Sequence, residues 1–427
     1  MNARAAVPEV RIEGTTAPAY GALRAHFERA FERGAERDAQ LCVYVDGECV
    51  VDLWGTTDPD GDFGPDRLVD VFSSGKSLEA IALASLVSSG HLDYGAPVAE
   101  YWPAFAAAGK EAIRVCDLMR HEAGLAALTR SIEPADLLPE HLKENRVGRI
   151  LEAHPPAWRG DGSVREYHAV TRGWIANELF RRVDPAGRTI GEYLREDVAG
   201  PLAADVHVGL REAELARVTD VAPLGRRRYV AELFKPPGVE RAIVHDLFSL
   251  GANVLPLLRG LRHRSRADAA PPLAGMADVR IFNDPLVRRG ETPSANAHAS
   301  ARGLARLAAA MAAGGILDGR RLMSDAAWRA LHADPVRRSM GLETIFTQGG
   351  VATFGPHSPR AGRVVRSLNV GRDGFHGWMG LGGSVFQWHP ERRIGFAFVP
   401  TALHVPDLVN ERAKAYQALA VDCAARA

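Results

Sequence analysis

Residues 71–90 read VFSSGKSLEAIALASLVSSG, and this stretch decides how the rest of the chain is read. A strand-like Val71-Phe72 leads into Ser73, and Lys76 opens a segment, Ser77 to Ser89, that is apolar nearly all round, as a buried central helix would be. Side chains three apart on a helix share a face, so Lys76 would stand one turn above Ser73. Serine is a weak nucleophile until a neighbour takes its proton. A lysine is that neighbour if burial or adjacent positive charge lowers its pKa. The helix N-terminus would add partial positive charge beside the serine. Five lysines and seventeen serines in 427 residues would give only about 0.2 such pairs by chance, and Lys76 alone has a serine three residues before it. A capping serine followed by a solvated lysine is the alternative reading of the same tetrapeptide.

Working outward, Gln40 to Gly55 is two β-rich runs around Asp46-Gly47, a hairpin signal. Gly383 to Pro400 repeats the pattern as GSVFQW, the turn residues HPERR, and IGFAFVP. Between these ends the chain reads as helical. Tyr20, Leu23, Phe27 and Phe31 mark an amphipathic helix, Thr189-x-x-Glu192 a capping box, and Ala299–Ala313 and Val409–Ala425 two more helices. Segments 131–165 and 205–290 carry no clear periodicity. The expectation is one α/β (α+β) catalytic domain over 1–427, an antiparallel sheet flanked by helices. Residues of about 1–75 and 340–427 would form the sheet lobe, and about 76–339 a mostly helical lobe.

Composition excludes several classes. Fifty-two basic residues balance fifty-two acidic ones, so no global field recruits nucleic acid or an anionic membrane. The basic run Arg259–Arg266 reads as a solvated loop. No apolar run approaches the ~18 residues of a membrane span, and Met1–Val10 has no signal-peptide pattern. Cys42, Cys49, Cys116 and Cys423 are too scattered for a disulfide framework, and a reduced cytoplasm is the simplest expectation. The histidines show no metal-binding spacing, and no GxSxG elbow, Walker A or GxGxxG pattern occurs. Five lysines stand against forty-seven arginines. A retained lysine therefore suggests a task arginine cannot perform, such as losing a proton.

Beyond Lys76 the chain runs SLVSSGHLDYGAPVAEYWPAF (85–105) and IRVCDLMRHEAGL (113–125). It continues with REYHAVTRGWIANELFRRVDPAGRTIGEYL (165–194), PSANAHASARGLARLAAAM (293–311) and GWMGLGGSVFQWHPERRIGFAFVP (377–400). In that order these segments resemble the serine β-lactamase-related family, which includes class C β-lactamases, D-alanyl-D-alanine peptidases and family VIII carboxylesterases. The resemblance covers Tyr20 to the last helix and implies a β-lactamase/transpeptidase-like fold. It also implies that Ser73 is the nucleophile, Lys76 its base or proton relay, and Tyr167 the tyrosine of the Y-x-N motif. That tyrosine's pKa would be lowered by the neighbouring lysine ammonium. Trp378-Met379-Gly380 aligns with the pocket-lining K-T-G motif, with His376 a competing alignment two residues earlier. The oxyanion donors would then be the backbone N–H groups of Ser73 and Leu381. Asn296 and His298 are expected to face the cleft at the start of their helix, or else Ser294 or Asn296 caps it. His121 would only stabilise its turn.

Two departures bear on the substrate. The asparagine of Y-x-N is Ala169 and the lysine of K-T-G is Trp378. A penicillin's amide and carboxylate would lose polar partners, whereas an uncharged ester suits an apolar wall. The expectation is a hydrolase of small carboxylic esters working through an acyl-enzyme, with no cofactor, metal, nucleic-acid or membrane partner. An acyltransferase, a D-amino-acid peptidase or weak β-lactamase, and a catalytically silent scaffold remain alternatives. Oligomeric state does not follow from the sequence.

Overall fold

The computed structural model describes residues 10–427 except 159–160, 237, 245–250, 252–267 and 356–360. The basic run Arg259–Arg266 and nearly all of Met1–Val10 therefore lie outside the described residues.

The two β-rich ends meet in one sheet. Strands β1 (Arg11–Thr16), β2 (Asp38–Val45) and β3 (Glu48–Thr56) come from the N-terminal part of the chain. A separate hairpin, β4 (Val336–Ser339) and β5 (Glu343–Phe346), precedes β6 (His376–Met379), β7 (Val385–His389) and β8 (Ile394–Pro400). The six sheet strands lie in the order β1-β3-β2-β8-β7-β6, every pair antiparallel. The Asp46-Gly47 turn has positive φ at both residues, 50° and 85°, the backbone a two-residue hairpin turn requires.

Alternation along β2 sends Leu41 and Val43 to one face and Cys42 and Tyr44 to the other, where they enter separate apolar clusters. The first face is covered by α1 (Gly21–Glu32) through Leu23, Phe27 and Phe31, together with the C-terminal helix. The second face carries the helix Ala301–Ala312, which packs on β8 and β2. It comes so close that a Cβ on Gly395 would lie 2.4 Å from the Ala309 nitrogen. This helix was expected in the helical lobe but belongs to the sheet layers, because its alanine-rich face lets it lie directly on the strands.

The expected buried helix is α2 (Gly75–Ser88), beginning two residues earlier than its apolar pattern and buried over Gly75–Ala84. It packs against α3 (Thr171–Val183), against a later helix, Asp325–His332, and against β6 and β7. In chain order Ala301–Ala312 is α4, Asp325–His332 is α5 and the C-terminal Glu411–Ala424 is α6. The Thr189/Glu192 capping box is present with reciprocal hydrogen bonds of 3.2 and 2.9 Å. Among the described residues, the segments without periodicity contain helices of at most eight residues, such as Arg146–Ala153 and Arg226–Leu233. Among the described residues no helix is long and apolar enough to cross a membrane.

Candidate active site

A short three-stranded sheet joins Val69–Asp70 to His298–Ala299, which also pairs with Val206–His207. The chain then turns sharply. The Asp70 carboxylate accepts a 2.7 Å bond from the Phe72 N–H, and Phe72 holds a positive φ of 45°. A bulky residue in that region is a local strain, here placed directly before Ser73. The turn Phe72–Ser74 feeds α2, so Ser73 sits at the helix N-terminus with Lys76 one turn on.

Lys76 is 1% exposed, and its Nζ lies 2.6 Å from the Ala169 carbonyl, 2.9 Å from the Ser294 carbonyl and 3.1 Å from Ser73 Oγ. Burial, aided by the Arg172 guanidinium and opposed by Glu79, pushes its pKa well below the usual lysine range. Arg172 and Glu79 form a fully buried 2.7 Å ion pair. Glu79 also accepts from Ser294 Oγ at 2.6 Å, and Arg172 donates to the Lys76 carbonyl at 3.0 Å. This frame holds α2, α3 and the Ser294 turn together beneath the lysine. A neutral amine here has its two N–H bonds taken by carbonyls and its lone pair facing Ser73 Oγ.

Tyr167 approaches from the other side, its hydroxyl donating to Ser73 Oγ at 2.8 Å. The indole Nε1–H of Trp378 donates to the Tyr167 hydroxyl oxygen at 3.0 Å. Lys76 Nζ stands 4.8 Å from the Tyr167 ring centre. The lowered tyrosine pKa expected from the sequence is not found. Burial raises it, and the bonds to Ser73 and from Trp378 only partly offset that. Burial is the largest cause, outweighing these bonds and the Arg172 charge, so the resting group is a protonated phenol.

The third wall is β6 and the turn after it. Trp378 N–H donates to Ser77 Oγ at 3.0 Å, which ties the strand to α2. A Cβ on Gly380 would meet the Val71 carbonyl at 2.2 Å, so only glycine lets this strand press against the turn that carries Ser73. Asn410 Nδ2 donates to the carbonyls of Gly380 at 3.1 Å and Ser384 at 2.9 Å. In a trans peptide the C=O and N–H point opposite ways, so anchoring the Gly380 carbonyl turns the Leu381 N–H away from Asn410. Among the described residues neither the Ser73 nor the Leu381 N–H donates to a protein acceptor.

These walls enclose a cavity of about 140 Å³ lined by Ser73, Tyr167, Met340, Leu342, Trp378 and Leu408, with Met379, Gly380 and Leu381 along one edge. The competing alignments separate: Trp378 reaches Tyr167, whereas His376 Nδ1 sits 3.0 Å from Thr353 Oγ1 and its ring packs edge-on to His332. Asn296 and His298 do not face the cleft, contrary to expectation. Asn296 is fully buried, accepting from Thr292 N–H and donating to the Val287 and Gly290 carbonyls. His298 is fully buried in the three-stranded sheet, and α4 is capped instead by Ser300 Oγ, which accepts from Gly303 N–H. Both support the strand that delivers Ser73, since Val71 N–H donates to the Ala297 carbonyl between them. Sequence reasoning missed Glu79, Arg172, Asn410, Met340 and Leu342, and considered Ser294 only as a helix cap; the partners of Glu79, Arg172 and Ser294 lie about 90 residues or more away in sequence. Among the described residues no group of three metal-ligating side chains comes together.

The model of the Beta-lactamase family matches residues 23–420. "Esterase/beta-lactamase LipL" of Mycobacterium tuberculosis is 32% identical over 407 residues, 94% of this chain and 86% of that protein. A family VIII carboxylesterase of known structure is 27% identical with a TM-score of 0.74, covering 97% of this chain and 99% of its own. A penicillin-binding protein homologue from Caulobacter crescentus is 31% identical with a TM-score of 0.70, covering 96% of this chain and all of its own. Fold, cleft and relatives converge: the chain belongs to the beta-lactamase family and is a serine hydrolase.

Proposed function

We propose that this enzyme cleaves small, uncharged carboxylic esters through an acyl-enzyme on Ser73. Lys76, as the neutral amine, takes the Ser73 proton while the oxygen attacks the ester carbonyl. The tetrahedral oxyanion is held by the N–H groups of Ser73 and Leu381, each such donor being worth about 2.7–4 kcal/mol. Tyr167, resting as a phenol, gives its proton to the departing alkoxide and is reprotonated from the Lys76 ammonium. In the second half a water loses its proton to the same Tyr167–Lys76 pair and attacks the acyl carbon; the C–Oγ bond then breaks, the pair returns the proton to Ser73 Oγ, and the acid is released. Every step uses only groups of this chain.

The observation that carries this reading is the set of acceptors around Lys76 Nζ: two carbonyls and one hydroxyl. A hydroxyl is the one of the three that can donate back to a neutral amine. The mainly apolar lining and the absence of a cation at Trp378 favour an uncharged ester over a β-lactam carboxylate. Ala169 contributes its carbonyl to Lys76 and has no side-chain amide for a substrate.

The test is intact-protein mass spectrometry after incubation with a fluorophosphonate and, separately, with p-nitrophenyl butyrate. One adduct mapping to Ser73, lost in Ser73→Ala, together with nitrophenol turnover, is the expected result. Folded protein that forms no adduct and releases no nitrophenol would overturn the proposal. Ester exchange outrunning hydrolysis when an alcohol is added would reassign the enzyme to acyl transfer.

A further inference from the structure

The hairpin β2–β3 carries a second reactive group, remote in sequence from Ser73. Cys42 pairs with Asp52 and Tyr44 with Cys49, with a register shift between Val43 and Tyr44 that leaves Val50 as the extra residue of a bulge. Seven residues apart around the Asp46-Gly47 turn, the two cysteines lie on neighbouring strands and point to the same face. Their sulfurs are 3.9 Å apart in an S–H···S hydrogen bond. Cys42 is fully buried and Cys49 is exposed.

We propose that Cys42 and Cys49 are a dithiol modification site, converted to an intramolecular disulfide by hydroperoxides. Cys49 is the attacking sulfur because it alone of the two meets solvent, and Cys42 is the resolving thiol behind it. The surroundings favour that division. The hydrogen bond with Cys42 lowers the Cys49 pKa, against opposing burial, while burial raises that of Cys42 well above the usual thiol range. Arg302, on α4, is paired with Asp52 at 2.5 Å; the Asp52 carboxylate raises both thiol pKa values more than the Arg302 guanidinium lowers them, so the division between the sulfurs rests on their contact and their unequal exposure.

The chemistry balances with the hydroperoxide as the only added reagent. The Cys49 thiolate attacks the outer peroxide oxygen, the O–O bond breaks, and the alkoxide is protonated to an alcohol, leaving Cys49 as a sulfenic acid. The Cys42 sulfur then attacks the sulfenic sulfur, the S–O bond breaks, and hydroxide leaves with the Cys42 proton as water. The two thiols lose two electrons and two protons, and the peroxide becomes alcohol and water. The sulfurs need to close by roughly 2 Å to reach bonding distance, a movement within reach of side-chain rotation at a bulge.

The experiment treats the full chain with tert-butyl hydroperoxide and maps peptides by mass spectrometry under non-reducing conditions. The expected product is a Cys42–Cys49 linked peptide, lighter by two hydrogens and restored by dithiothreitol, with the buried Cys116 and Cys423 still free. In Cys42→Ser the reaction should stop at a Cys49 sulfenic acid that dimedone traps. In Cys49→Ser, Cys42 should stay reduced, with circular dichroism confirming that both variants fold. Before oxidation, iodoacetamide should alkylate Cys49 at least about tenfold faster than any other cysteine. Cys49 passing to sulfinic acid while Cys42 remains a free thiol, or linking to Cys49 of a second chain, would overturn the proposal.

Discussion

Lys76 in the cleft and Lys110 in the helical region are both buried and both held by three oxygens, yet the two sites are built for opposite protonation states. Lys110 Nζ donates to the carbonyls of Ala107 at 2.6 Å, Glu152 at 2.9 Å and His154 at 2.7 Å, two of them at the C-terminal end of the helix Arg146–Ala153. Lys76 Nζ meets two carbonyls and the Ser73 hydroxyl. Three carbonyls can only accept, so they are satisfied by an ammonium with three N–H bonds. Replacing one by a hydroxyl removes that demand. The wider fields agree. Burial lowers Lys110 only to about 8, with Glu152 acting against it, so it stays charged at neutral pH. Lys76 has Arg172 beside it, and burial with that charge pushes it well below the usual lysine range. One buried lysine clamps a helix end, and the other is, in the proposed mechanism, the base.

The comparison breaks most readily at Lys76. In Lys76→Arg the guanidinium keeps its proton, and kcat for p-nitrophenyl butyrate should fall on the order of 10³-fold. Near-normal turnover in that variant would end the base assignment. Tyr167→Phe leaves the buried ring in place and should cost about 10²-fold in kcat with little change in Tm. An unchanged rate across the pH range would remove Tyr167 from proton transfer.

Lys110→Met should do the reverse. Three carbonyls lose their donors, and urea unfolding should show a loss of roughly 3 kcal/mol, while kcat per folded molecule stays the same. A Lys110→Met protein as stable as the wild type would mean that those carbonyls find other partners. Trp378→Phe keeps an aromatic wall but removes the N–H bonded to Tyr167, and about a tenfold drop in kcat is expected for that one hydrogen bond. No drop would reduce Trp378 to a wall.

The mildest test is the pH profile. A base loses function when protonated, so kcat/KM should rise with pH through the depressed Lys76 pKa and then stay flat. The rising limb should lie far below the ordinary lysine value of about 10.4. A limb near that value would mean that burial does not discharge Lys76.

The contrast also sharpens an inference from composition. Lysine scarcity suggested that a retained lysine performs a task arginine cannot, such as losing a proton, and Lys110 shows a second such task. A compact ammonium with three donors fits three converging carbonyls, and a planar guanidinium does not. Lysine scarcity marked both positions as special without distinguishing them.

What the sequence determined by itself was local. Ser73 and Lys76 meet because residues three apart on any helix meet, and the two β-rich ends formed hairpins because Asp46-Gly47 and HPERR are turn residues. Family resemblance carried Tyr167 and the glycine-rich strand, since those motifs recur in a known order. Tertiary structure alone decided what surrounds each group: that Trp378 offers an N–H to Tyr167, and that Asn410 orients the Gly380 peptide. It decided as well that Asn296 and His298 are buried supports, and that Cys42 and Cys49 share one face of a bulged hairpin. The physical reason is that periodicity reports which face of an element is apolar but not which element covers it. Burial, pKa and hydrogen-bond partners are properties of that covering neighbour, which lies 301 residues away where Trp378 meets Ser77.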